Sequence, residues 1–176
     1  MYVVGCDFSS LHIDLVRVHL DDLEPPKWNR YSLMGHDAFD RTRTVGDVMP
    51  GRASDYWSDV IGVGIEHPAG KFGVGPMMRV QGAVLACLPS GVMVKAWPPG
   101  AWRKAVGLAG NATKEAVADW AHKDRFPPTV TSEGRATRGL IFTVATGSNA
   151  NAWPQDACDA YCIALATRGA LERQAA

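Results

Sequence analysis

The stretch Tyr2-Val3-Val4-Gly5-Cys6-Asp7 decides the fold. Residues 2–6 form a short apolar, β-prone run that stops on a carboxylate, which reads as a central strand buried on both faces. After a turn at Phe8-Ser9-Ser10, residues 12–20 alternate, with Ile13, Leu15, Val16 and Val18 between Asp14, Arg17 and His19. This predicts a half-buried strand, antiparallel to the first because the connection is short. Residues 21–27 contain Pro25-Pro26 and form a loop, and Trp28 to Met34 predicts a third strand. Farther along, Val60-Ile61-Gly62-Val63-Gly64-Ile65 repeats the opening pattern as a buried strand ending on Glu66.

The segments between follow. Residues 37–60 have helical spacing in part, broken at Pro50-Gly51. Residues 67–73 form a loop, Pro76 to Leu88 an apolar helix, and Val92 to Val94 a fifth strand. Helices are predicted over 98–108, 113–123 and 154–171. In the segment 126–153 only Leu140 to Val144 is strand-like, so this stretch is either an arm or a small β addition to the sheet. Three antiparallel strands followed by strand–helix–strand units predict an α/β fold: a five-stranded mixed sheet with helices on both faces, in a single domain over residues 1–176.

Composition agrees with this. The 176 residues are 47% hydrophobic and 20% charged, enough to bury a core without disulfides or metal staples. No apolar run approaches the roughly 20 residues that span a bilayer. The opening lacks a basic leader and meets Asp7 early, so no signal peptide is expected and the predicted compartment is the cytoplasm. Cys6, Cys87, Cys158 and Cys162 have no metal-finger spacing and read as buried thiols. The 18 basic and 18 acidic residues cancel, but residues 1–66 are net acidic and residues 67–153 net basic. That asymmetry suits a protein that gathers carboxylates at one place and meets a polyanion at another, and also suits chance segregation of solvated charge.

Asp7 and Glu66 each end a buried strand, where α/β folds place their sites. Asp156 and Asp159, three apart, share one face of an alanine-rich helix. Singly, Asp7 also suits a turn and Asp156 a helix first turn. Together, repelling carboxylates on apolar elements call for hard divalent cations, and two such ions about 4 Å apart suit phosphodiester hydrolysis.

The stretches VVGCDFSS, GVGIEHPAG, AWRKAVGLAGNATKEAV and PQDACDAYCIALA resemble RuvC, the Holliday-junction resolvase family of the RNase H-like nucleases. The resemblance spans most of the chain outside residues 21–55 and 126–153. It implies that Asp7, Glu66, Asp156 and Asp159 are catalytic ligands of two Mg²⁺ or Mn²⁺ ions. It also places Lys114 at the start of a helix near the scissile phosphate. Arg103 and Lys104 are implied to touch the DNA backbone, although a solvated face explains them equally well. Lys71 and Phe72 lie in the loop where the family carries an aromatic wedge for the junction centre, and a core role for Phe72 is the alternative.

The implied activity is structure-selective cleavage of four-way junctions by paired symmetric nicks that leave 5′-phosphates. The implied assembly is a homodimer, with helix 76–88 either its interface or an ordinary core helix. A broader debranching nuclease for flaps and Y-forks, of the kind phages use in replication or packaging, is the second reading. A non-catalytic branched-DNA-binding module is the third, and four intact carboxylates argue against it.

Overall fold

The computed structural model describes residues 1–68, 74–124, 130–135, 141–145 and 154–176. The opening run forms β1 (Tyr2–Phe8), which extends through Asp7 rather than stopping before it. It pairs antiparallel with β2 (His12–His19) on one side and parallel with β4 (Val60–Glu66) on the other. Strand β3 (Lys27–Ser32) lies antiparallel beside β2, and β5 (Met93–Trp97) lies parallel beside β4. These are the five strands expected from the sequence.

The inserted segment adds β6 (Val130–Arg135) and β7 (Ile141–Ala145), so the sheet has seven strands in the order β5-β4-β1-β2-β3-β7-β6. The β addition is therefore the alternative the structure takes. Strand β7 falls where the sequence predicts it. Strand β6 escapes the sequence because Thr131-Ser132-Glu133-Gly134 carries no apolar alternation.

Period-two alternation along β1 separates two cores. Val4, Cys6 and Phe8 point with Ile13, Leu15, Val63 and Ile65 toward α1 (Ala38–Val48) and α2 (Val74–Cys87). Helix α1 starts at Asp37, whose side chain accepts from the N–H groups of Phe39 and Asp40, and it ends ahead of Pro50 as expected. Helix α2 buries Val80, Gln81 and Val84 in this core, while Met78 and Leu85 are about two-fifths exposed, at 41% and 40%.

The opposite face packs against α5 (Gln155–Ala175), flanked by α3 (Pro99–Ala105) and α4 (Lys114–Asp124). Helix α5 lies almost directly on the sheet. Ala157, Ala160 and Ala164 are fully buried beneath it, and a Cβ on Gly5 would fall on the carbonyl oxygen of Ala160. A Cβ on Gly64 would likewise overlap the Thr167 hydroxyl. Thr167 Oγ1 donates to Ile163 O and accepts from Trp97 Nε1 at 2.9 Å, which fixes α5 over β5.

Candidate active site

Four side chains form a row across the sheet on the α5 face. Asp7 in β1 lies opposite Asp14 in β2, and Asp14 lies opposite Arg30 in β3. On the other side, the pairing of Cys6 with Ile65 sets Glu66 beside Asp7. The close approach of α5 adds Asp159, which is 4% exposed, and Asp156 in the helix's first turn. The two strand-end acids and the helical pair thus meet on one face, as the sequence predicts.

The electrostatics are those of crowded, desolvated carboxylates. Burial holds the Asp7 carboxyl well above its ordinary pKa, and the charges of Glu66, Asp159, Asp156 and Asp14 push it the same way. Glu66 is raised by burial and opposed by Trp102, whose indole N–H donates to Glu66 Oε2 at 3.1 Å. Asp159 is raised by burial, opposed by Gln155, whose side-chain amide donates to Asp159 Oδ1 at 2.9 Å. An oxygen-only set of repelling, half-buried carboxylates fits a hard divalent cation.

Cations border this cluster. Lys114 opens α4, is 66% exposed along its side chain, and sets Nζ 4.0 Å from Asp156 Oδ1. Arg103 stacks over the Trp102 ring, and its charge, with that of Lys114, favours ionised Glu66 and Asp159. Lys104 is exposed on the same short helix, with its stem against Gly110. Lys71 and Phe72 lie outside the described residues.

Sequence reasoning missed His12, Asp14, Arg30 and Trp102. Asp14 reads as the solvent side of an alternating strand, yet it is fully buried because α5 covers that face. Trp28 Nε1 donates to Asp14 Oδ1 at 2.6 Å, and Arg30 grips both oxygens, Nε to Oδ1 at 2.9 Å and Nη2 to Oδ2 at 3.0 Å. His12 Nε2 stands 2.6 Å from Asp156 Oδ2. His12, Asp14 and Asp156 form a group of ligand-type atoms lying within 4.8 Å of one another, found among the described residues. Arg30 already occupies both Asp14 oxygens, although burial still raises the Asp14 carboxyl above its ordinary pKa.

This mixed sheet, with a long helix laid over strand-end carboxylates, is similar in fold to that of RuvC. Thermus thermophilus RuvC aligns at a TM-score of 0.59 and 20% identity, covering 99% of this chain and 97% of the other. The same protein in complex with a Holliday junction substrate aligns at 0.59 and 19% identity, covering 98% and 96%. No protein-family model and no curated protein sequence matches the chain. Among the described residues no helix is long and apolar enough to cross a membrane.

Proposed function

We propose that this chain is a metal-dependent, structure-selective endodeoxyribonuclease, a single domain that resolves four-way DNA junctions by paired symmetric nicks. The observation that carries this reading is the meeting of Asp7, Glu66 and Asp159 on a RuvC-type fold, each carboxyl raised by burial. Carboxylates so placed destabilise an empty site and suit a cation-dependent one. The ligands would be Asp7, Glu66, Asp159 and Asp156, holding two Mg²⁺ or Mn²⁺ ions. Divalent cations there would supply charge neutralisation and Lewis acidity for in-line attack of water at phosphorus, the new P–O bond forming as the bond to the 3′ oxygen breaks and leaving a 3′-hydroxyl and a 5′-phosphate.

The chain's own residues do the rest. Asp7, mid-row between Glu66 and Asp14, is the carboxylate placed to be shared. Trp102 fixes the rotamer of Glu66 through its N–H. Lys114 sets a positive charge at the rim, where a phosphate gathers negative charge in the transition state. Arg103, Lys104, Lys71 and Phe72 are proposed DNA contacts. The RuvC–junction complex supports branched DNA as the partner. Two-fold junction symmetry favours a homodimer, acting in the cytoplasm of a bacterium or phage-infected host.

The test is a cleavage assay on end-labelled four-way junction, Y-fork, flap and linear duplex with Mg²⁺, Mn²⁺ or EDTA. Symmetric paired nicks on the junction, lost in EDTA and in Asp7→Asn, are expected. Equal cutting of forks and flaps would replace the resolvase by a debranching nuclease. Tight junction binding without cutting under either metal would leave a binding module.

A further inference from the structure

The four carboxylates are not equivalent. Asp7, Glu66 and Asp159 repel one another and accept hydrogen bonds from neutral donors, Phe8 N–H, Trp102 and Gln155, whereas Asp156 is in direct contact with the protein's own basic groups. Its Oδ2 is 2.6 Å from His12 Nε2 and 3.4 Å from Arg30 Nη2. Its Oδ1 meets Lys114 Nζ at 4.0 Å, on a largely exposed side chain.

Arg30 is itself immobilised. Its fork closes on Asp14, a carboxylate with no exposed surface, and Trp28 supplies a further donor to the same group. A planar guanidinium held bidentately has little freedom left, so the one N–H it extends to Asp156 comes from a fixed point. His12, on β2 two residues before Asp14, adds a second donor to Asp156, and Asp14 is its other acidic neighbour there.

We infer that Arg30, anchored by Asp14 and joined by His12, is a positioning clamp that occupies Asp156 Oδ2 and presents Oδ1 alone to the catalytic cluster. The inference rests on the nuclease reading above and deepens it. It gives Asp156 the role of a one-oxygen ligand whose direction the chain sets before any cation or DNA arrives. Without the clamp, Asp156 in a helix first turn has free rotamers and can offer either oxygen or both.

A clamp and a mere structural prop differ in what they change. Removing a donor leaves Asp156 more negative and less directed. Cation affinity is then kept or improved, while the rate at saturating cation falls. A prop would instead lower stability and cation affinity together.

The experiment uses the full chain with four variants: His12→Ala, His12→Gln, Arg30→Lys and Asp7→Asn. His12→Gln retains an N–H donor, and Arg30→Lys keeps the charge beside buried Asp14 while losing the fork. Mn²⁺ binding is followed by the paramagnetic resonance of the free ion, folding by thermal melting, and cleavage on the four-way junction across a Mn²⁺ titration. His12→Ala and Arg30→Lys are expected to bind Mn²⁺ at least as tightly as the parent and to cut ten-fold or more slowly at saturating Mn²⁺. His12→Gln is expected to recover most of the rate.

Parent-like rates in both donor variants would overturn the clamp and leave the nuclease intact. Mn²⁺ affinity falling in step with melting temperature would also overturn it, in favour of a prop. A parent that cuts no substrate with any divalent ion would overturn the nuclease reading and the clamp with it.

Discussion

No methyl group fits between Gly5 and Ala160: a Cβ on the first would land on the carbonyl oxygen of the second. The obstacle is backbone, so no rotamer relieves it. Gly5→Ala must lift α5 from β1 and is expected to destabilise by about 3 kcal/mol, the upper range for forcing volume into a packed core. Shortening the partner in Ala160→Gly should not rescue it. Gly46 in α1 and Gly82 in α2 have open space where a Cβ would stand, with nothing within 4 Å. There, alanine should stabilise by roughly 0.5–1 kcal/mol through helix propensity. Urea midpoints of the three glycine-to-alanine variants read both signs in one series.

The raised carboxyls give stability an inverted pH dependence. Asp7, Glu66 and Asp159 bind protons more tightly in the folded chain than in the unfolded one. Their favourable contribution is therefore present at low pH and lost as pH rises through the folded values. Glu24, Asp37 and Glu115 are lowered, so they act the other way, but only below the ordinary carboxylate range. In EDTA, the melting temperature should rise as pH falls from about 8 to about 5.5, above the ordinary carboxylate range. Asp7→Asn should flatten that slope and be about 1 kcal/mol more stable than the parent at the alkaline end.

Cation addition should reverse the deficit. At about 100 times its dissociation constant, an ion bound only by the folded state adds about 2.7 kcal/mol. Mn²⁺ at alkaline pH should therefore raise the parent's melting temperature and leave Asp7→Asn nearly unmoved. Equal shifts in both proteins would place the ion elsewhere than on the strand-end row.

Trp102 is fully buried and donates to Glu66. Trp102→Phe keeps an aromatic ring and removes that donor, at an expected stability loss of about 1–3 kcal/mol from the smaller ring and the unpaired carboxylate. Junction cleavage should fall about ten-fold, with the change in kcat rather than in DNA binding.

Lys114 is the opposite case, exposed and held only loosely by Asp156. Lys114→Met should leave the urea midpoint within about 0.5 kcal/mol of the parent. It should slow cleavage by about 10- to 100-fold if its charge meets the phosphate in the transition state. The salt dependence of junction binding should lose about one counterion's worth of slope. An unchanged rate would assign Lys114 to the solvated rim.

The legible part of this molecule is the part written locally. Apolar runs that stop on Asp7 and Glu66 show both strands, and in β4 also the strand's end, while β1 continues to Phe8. Acids at 156 and 159 stand out because the helix around them is alanine, cysteine and isoleucine. His12, Asp14 and Arg30 carry no such signal. In an alternating strand a polar residue on the second face reads as solvent-facing, and only the later arrival of α5 turns that face into an interior. Their partnerships span up to 144 positions in sequence, as between His12 and Asp156, and no spacing announces them. Trp102 is ambiguous for a related reason, since an indole in a short helix reads as core packing whether or not its N–H has a destination.

The antiparallel pair β6 and β7 bears on more than sheet width. Strand β7 pairs with β3 at Trp28 and Asn29, directly before Arg30. Were it absent, β3 would be the raw border of the sheet, with peptide groups open to water or to the border of another molecule. The outer strand β6 carries a register shift between Val130 and Ser132, an irregularity of the kind that discourages edge-to-edge aggregation. Excising the insertion to obtain a shorter chain would therefore do more than trim the protein. It would leave a sticky margin beside Arg30, and solubility and catalytic competence should deteriorate together.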